Sequence, residues 1–364
     1  MIAVVGAGPA GSYAAYLLAK QGYEVKLFEE HKEIGSPIQC TGILTEGIKT
    51  FFTPKKEVIT TTISRIKVHS QKEQVEFKLQ KPDIIVDRTL FDQSLAAMAH
   101  DAGAEVLPWH RFEKKEQGKI IIEDIKNKTK KAYAPSHLIG ADGPNSHVAK
   151  SDHMKGKRTF FYGAQATIKG TFDPECYEVY LGSVCPDLFA WVVPENEHYA
   201  RAGLASFSHP HTYFQAFLKK LGSPSICACQ GGLIPLYNRT IETEKEHTFL
   251  VGDAAFQVKA TTAGGIIQGI TAAKALEEAI TKNQSYEQLW KKALQRDLWL
   301  HLLIRKAMNR FADKDYDYLL HLVQQQRMKK IIEEFPRDYP SRFMTSLALR
   351  EPRLAYFAKF LMGR

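Results

Sequence analysis

The sequence predicts an α/β fold organised around a parallel sheet, and three observations predict it. The chain opens on a short apolar run, Ile2 to Val5, followed by a glycine-rich turn, a helix-like stretch and a second apolar run, Glu24 to Phe28. Two more short apolar runs, each ending in a polar turn, recur far downstream: His137 to Ala141 before Asp142-Gly143, and Thr248 to Val251 before Gly252-Asp253. Between them lie stretches in which apolar residues alternate, the period-two signature of half-buried strands.

The opening reads as a β-α-β unit. Gly6, Gly8 and Gly11 fill the three glycine positions of G-x-G-x-x-G, directly after a strand and before a helix running from Ser12 to Lys20. The first glycine permits a tight turn, the second lets backbone approach a pyrophosphate, and the third lets helix pack on strand. Unpaired N–H groups and the positive dipole end of the helix then face the phosphates. Glu29, at the end of the second strand, is placed to accept the ribose hydroxyls of an adenosine.

A second helix start points to a flavin rather than a nicotinamide. Val251-Gly252-Asp253 puts a carboxylate at a strand end, and Thr261-Thr262-Ala263-Gly264-Gly265 opens a helix at Ile266. A helix N-terminus here can face the N1–C2=O edge of an isoalloxazine, which carries negative charge when reduced. Asp253 is then expected on a ribityl or phosphate-side hydroxyl, its alternative being a plain helix cap.

The alternating segments are Ile63 to His69, Gln74 to Leu79, Gly163 to Lys169, Glu178 to Leu181, Phe189 to Val193 and Tyr199 to Ala205. They predict an antiparallel sheet inserted into the nucleotide-binding domain. From Tyr286 onward the spacing of Leu289, Leu294, Leu298 and Leu302 is helical, with Pro336, Pro340 and Pro352 breaking the end into short pieces. The expected organisation is a discontinuous FAD-binding domain (1–55, 85–155 and 240–285), a substrate domain (56–84 and 156–239) and a helical C-terminal region (286–364).

Composition narrows the function class. With 44% hydrophobic and 24% charged residues, disordered and collagen-like chains are excluded. No apolar run approaches the roughly 20 residues of a membrane-spanning helix, and the N-terminus lacks the features of a signal peptide. A cytoplasmic location is therefore expected. Cys40, Cys176, Cys185, Cys227 and Cys229 lack the paired spacing of a zinc site, so no metal is expected. Between Ser285 and Arg364 stand 16 Lys and Arg against 9 Asp and Glu, which supplies most of the net charge of +9. There Phe343, Leu347, Leu349, Leu354, Phe357, Phe360 and Leu361 alternate with Arg342, Arg350, Arg353, Lys359 and Arg364. This tail is expected either to touch the inner face of an anionic membrane peripherally or to pack on the protein's own core.

Four motifs resemble, in order, the flavin fingerprints of the p-hydroxybenzoate-hydroxylase-like superfamily: the N-terminal glycine turn, Asp87-Arg88-Thr89-Leu90-Phe91-Asp92, Gly140-Ala141-Asp142-Gly143-Pro144 and Gly252-Asp253-Ala254-Ala255. The resemblance implies a glutathione-reductase-type Rossmann domain holding FAD, with Arg88, Asp142 and Gly143 near the cofactor. Within that superfamily, Gln39-Cys40-Thr41-Gly42, the stretch Gln257 to Ile266 and Tyr339-Pro340-Ser341 are similar to archaeal geranylgeranyl reductases. So is Pro186-Asp187-Leu188-Phe189-Ala190-Trp191-Val192-Val193-Pro194 followed by Gly203-Leu204-Ala205, although Phe189, Val193 and Ala205 depart from that family's tyrosine, phenylalanine and glycine.

The resemblance implies an FAD-dependent reductase that saturates double bonds of geranylgeranyl chains. Its partners would be a prenyl lipid and an electron donor, whether NAD(P)H, ferredoxin or reduced flavin; no nucleic acid is expected. The expected cofactor-binding residues are Gly6, Gly8, Ala10, Gly11, Glu29, Glu30, Cys40, Arg88, Asp142, Gly143, Asp253, Gly264, Gly265 and Ile266. Cys40, Phe189 and Trp191 are the expected catalytic residues, Cys40 as a proton relay or a shield on one face of the ring. The rival reading on the same fold is a flavin-dependent monooxygenase or halogenase, against which the missing first tryptophan of the halogenase W-x-W-x-I-P weighs.

Overall fold

In the computed structural model, residues 1–334, 337–342, 344, 347 and 350–361 are described. Pro336, Phe343, Leu349 and Arg364, which entered the expectations for the tail, lie outside them.

The opening strand Ile2–Val5 sits in the middle of a six-stranded sheet in the order Glu244–Lys245, Thr248–Leu250, His137–Gly140, Ile2–Val5, Val25–Phe28, Glu105–Leu107. All neighbours are parallel except the first pair. Side chains of a strand point alternately to its two faces, and both faces here are covered. Ile2, Val4 and Leu27 join a core with helices Pro9–Lys20, Arg88–Asp101 and Ile266–Lys282. Ala3, Val5 and Phe28 join another with Phe112, Ile120 and Ile122. Those last residues belong to a three-stranded meander, His110–Glu116, Lys119–Asp124 and Thr129–Tyr133. The sequence reading missed this meander because its strands are short and rich in lysine and glutamate.

The second sheet has eight strands, in the order Ser225–Pro235, Phe160–Lys169, Tyr199–Ser206, Ala190–Pro194, Cys176–Tyr180, Ile59–His69, Gln74–Val86, Ile43–Leu44. Two expectations need correction. The sheet is not wholly antiparallel, because Cys176–Tyr180 runs parallel to Ile59–His69. It also gains the edge strand Ser225–Pro235, which is largely exposed and so carries no alternating pattern to read. Along Ala190–Pro194 the alternation decides what meets what. Ala190 and Val192 pack toward helix Pro210–Lys220, with its buried Phe214 and Phe217, while Trp191 and Val193 face the interior cavity.

The C-terminal region is helical, as the spacing predicts: Tyr286–Trp290 continues through a widened turn into Arg296–Met308, followed by Asp313–Val323 and Gln326–Glu334. Among the described residues no helix is long and apolar enough to cross a membrane.

Candidate active site

A cavity of about 870 Å³ lies between the two sheets, and it brings together residues from distant parts of the chain. Every expected site residue except Gly11 lines it.

At one end is the glycine turn. Gly6 has φ of +100°, and a Cβ there would stand 2.4 Å from the Ala141 carbonyl oxygen; a Cβ at Gly11 would stand 2.0 Å from the Gly6 oxygen. Both glycines are required by the protein's own backbone. Gly8 differs, since a Cβ there would meet nothing within 4 Å. The space over Gly8 is free of protein and lies at the start of helix Pro9–Lys20, whose cap supplies no side-chain acceptor, which fits a bound pyrophosphate. Ala10 packs where the Gly252 turn and helix Ile266–Lys282 converge: a Cβ at Gly252 or Gly269 would come within 2.9 or 3.1 Å of its methyl.

Glu29 is buried at the end of its strand. Its Oε2 accepts the Ala7 amide at 2.8 Å, and its Oε1 accepts the His31 amide at 3.0 Å and lies 2.6 Å from His31 Nδ1. The carboxylate is thus oriented by protein donors while keeping lone pairs for a ribose. Glu30 beside it is exposed.

Three half-buried polar side chains line the cavity. Asp253 has its pKa pushed up to about 6, chiefly by burial, with Arg88 acting in the opposite direction. Asp142 accepts the Val148 amide on Oδ2 at 3.0 Å, while its buried Oδ1 has no hydrogen-bond partner among the described residues. An unpaired buried carboxylate oxygen costs stability unless something donates to it, and a hydroxyl of a bound cofactor is a suitable donor. Arg88 forms a two-point pair with Asp92, at 3.0 and 2.8 Å. Burial opposes the Arg88 charge, but Asp92 and Cys40 beside it outweigh this and hold its pKa above the usual range. Asp253, Asp142, the open Gly8 and the Gly264–Gly265 turn together fit FAD.

Cys40 is half-buried. Its Sγ accepts the Gly42 amide at 3.4 Å, and its carbonyl accepts from Arg201 Nη1 at 2.7 Å. Arg201, on strand Tyr199–Ser206 and itself paired with Glu195, anchors the cysteine loop to the sheet. Sequence reasoning missed it, although an arginine within Ala200-Arg201-Ala202-Gly203 is a legible oddity.

The far wall is apolar. Ile66, Val68, Phe77, Leu79, Val179 and Leu181 line it with Phe189 and Trp191. The rings of Phe189 and Trp191 lie on one face, 5.8 Å apart at 66°, as their two-residue spacing predicts. The indole is held on two sides. Its Nε1 donates to Gln165 at 2.9 Å, and it lies flat over Gly203, where a Cβ would stand 2.7 Å from the ring. Lys259, His301 and Asp338 also reach the cavity, and sequence reasoning assigned them no role. Cys227 and Cys229 stay outside, exposed and unbonded on the edge strand.

Comparison with known proteins agrees with this fold. Residues 4–55 match the model of an NAD(P)-binding Rossmann-like domain. The digeranylgeranylglycerophospholipid reductase of Methanosarcina acetivorans is 29% identical, over 87% of this chain and 87% of its own. A second such reductase from Methanothermobacter thermautotrophicus is 29% identical over 93% and 97%. Among solved structures, a geranylgeranyl bacteriochlorophyll reductase-like protein from Thermoplasma acidophilum superposes with TM-score 0.86 at 24% identity, covering 99% of this chain and 98% of that one. A flavin-dependent brominase superposes with TM-score 0.72 at 13% identity, over 97% and 99%. The chain is therefore similar over nearly its whole length to reductases of geranylgeranyl lipids, and it is an FAD-dependent oxidoreductase.

Proposed function

We propose that the protein saturates isolated carbon–carbon double bonds in geranylgeranyl chains of membrane lipids or their precursors. The observation that carries this reading is the single cavity that joins the flavin-binding turns to a wall of aliphatic and aromatic side chains. Burying a hydrocarbon yields about 0.8 kcal/mol per methylene. A chain of about twenty carbons therefore needs no polar contact to bind such a wall.

Bound FAD, once reduced, supplies a hydride. The protein's residues do the rest. Gly6 to Gly11 and Glu29 hold the adenosine diphosphate half, and Asp142, Asp253 and the Gly264–Gly265 turn hold the flavin half. Trp191 and Phe189 press the alkene into one orientation, and the aliphatic wall excludes water. An isolated alkene is a poor hydride acceptor, so a proton must arrive with the hydride. Cys40, held in place by Arg201 and Gly42, is a donor of suitable position.

The test is anaerobic turnover. With chemically reduced FAD and a geranylgeranyl lipid, the expected products are heavier by two hydrogens for each double bond reduced, read by mass spectrometry. A monooxygenase or halogenase of this fold instead consumes oxygen and places an oxygen or halogen atom in the product. Turnover only in air would replace the present reading with that one.

Peripheral membrane attachment by the basic tail is part of the same proposal, since it would bring the cavity to a lipid. Tyr356 and Leu361 are exposed there, but Phe357 and Phe360 pack on Phe311, at 5.0 and 4.8 Å between rings. The insertable surface is therefore smaller than the sequence pattern suggests, and basic attraction must supply much of the binding. Flotation with anionic vesicles at low salt is expected, and its loss with neutral vesicles or high salt; flotation indifferent to both rejects the idea.

A further inference from the structure

The Gly264–Gly265 turn does not stand alone at its edge of the cavity. The Lys259 amide donates to the Gly264 carbonyl at 3.0 Å, and the Ala263 amide donates to the Lys259 carbonyl at 2.9 Å, so the lysine closes the turn. Its side chain folds back beneath the same turn: a Cβ at Gly264 would stand 2.9 Å from Lys259 Cε and 3.2 Å from Nζ. Lys259 is 6% exposed and its ammonium is paired with Asp338, which is 1% exposed.

This pair has a direction. Asp338 Oδ2 accepts from the Thr45 hydroxyl at 2.5 Å and lies 3.4 Å from where a Cβ of Gly47 would be. The carboxylate therefore faces the Thr45–Gly47 loop, and the ammonium faces Gly264. Arg337 and Asp83, other charges on this wall, pair with each other. His301 Nδ1 lies 2.5 Å from the Thr261 hydroxyl, and its buried Nε2 lines the cavity with no partner among the described residues. Burial and then Lys259 push the His301 pKa down to about 3, so the imidazole is neutral and adds no charge of its own.

We propose that Lys259 is an electrostatic positioning residue: its ammonium, pinned by Asp338 behind the Gly264–Gly265 turn, compensates the negative charge that the isoalloxazine gains on reduction and thereby sets how readily this flavin is reduced. The inference rests on the reading of this turn as the pyrimidine edge of the flavin site. A buried cation acts there with little solvent screening, and it adds to the dipole of helix Ile266–Lys282. His301 Nε2 offers a hydrogen-bonding position on the same side, which a carbonyl or ring nitrogen of the cofactor would satisfy.

The test uses full-length, FAD-loaded protein, equilibrated anaerobically with a reference dye. In Lys259→Met the ratio of reduced to oxidised flavin at a fixed potential is expected to fall by at least about tenfold, while Lys259→Arg stays near the parent. Asp338→Asn removes the opposing charge and is expected to move the ratio the other way. A role confined to structure does not produce shifts of opposite sign. An unchanged ratio in Lys259→Met, or a fall in both Lys259→Met and Asp338→Asn, overturns the proposal. If Lys259→Met fails to hold FAD, Asp338→Asn decides: a rise supports the proposal, and no change or a fall overturns it. No prenyl lipid enters the measurement, so its outcome is independent of whether the protein reduces one.

Discussion

A Gly8→Leu protein is expected to fold and to emerge from purification colourless. Gly8 has φ of −68° and ψ of 178°, an extended conformation open to any residue. No protein atom lies within 4 Å of its Cβ position. The substitution therefore costs the fold little beyond a weaker helix cap, about 1 kcal/mol. For the cofactor the cost is much larger, because the new side chain fills the space through which phosphate reaches the backbone amides. Hydrogen bonds to a charged group are worth about 1.5–3 kcal/mol each, so losing two weakens FAD on the order of a hundredfold or more. The ratio of flavin to protein absorbance reads the loss, and a melting curve matching that of the parent protein stripped of flavin shows an intact fold. Gly11→Ala makes the contrast, since its methyl meets the Gly6 carbonyl at 2.0 Å and the fold itself must yield. Full flavin occupancy in Gly8→Leu would mean that the pyrophosphate binds elsewhere.

The same two glycines show what was legible in the sequence. Strand, glycine spacing and following helix were enough to single out Gly6, Gly8 and Gly11, because the motif is written in consecutive residues, although only Gly6 and Gly11 answer a requirement of the protein's own backbone. The aromatic pair at Phe189 and Trp191 was legible for a similar reason: a period of two puts both on one face whatever the partner. Six strands of the second sheet were found from their apolar residues, though Ile59–His69 begins before the expected Ile63 and Gln74–Val86 runs well past the expected Leu79, but His110–Glu116 and Ser225–Pro235 were not found. The first buries little more than Phe112, and the second is exposed along most of its length. Neither carries a pattern, because neither buries a full face. The cluster of Lys259, His301 and Asp338 was invisible for a different reason. Its members are brought together from three separate elements, and no spacing in the chain announces a contact between residues 259 and 338. Parallel pairing of Cys176–Tyr180 with Ile59–His69 was likewise decided by the crossing of the chain between sheets and not by either strand's composition.

Trp191→Ala is expected to lower prenyl reduction about a hundredfold in kcat with a smaller effect on KM, and to leave FAD content unchanged. The asymmetry follows from where binding energy comes from. A long hydrocarbon touches the wall along its whole length, so deleting one indole removes only a fraction of its affinity. Hydride transfer is far less forgiving, since a misplacement of about 1 Å can cost on the order of a hundredfold in rate. The indole is held for such a purpose: Gln165 accepts its N–H at 2.9 Å and in turn donates to Gln230 at 2.6 Å, and Gly203 lies directly beneath it. Gly203→Ala therefore provides a sharper form of the same experiment. It keeps the tryptophan but sets a methyl 2.7 Å from the ring, which forces the indole off its seat toward the cavity. If ring position matters, Gly203→Ala reproduces much of the kcat loss while Trp191→Phe, which keeps an aromatic plane but gives up the bond to Gln165, falls between the two. Single-turnover oxidation of pre-reduced enzyme by the geranylgeranyl lipid, followed anaerobically at the flavin absorbance band, measures the step directly. Rates in Trp191→Ala and Gly203→Ala equal to the parent's would remove Trp191 from the active site and leave the aromatic pair as packing between the sheet and its cavity.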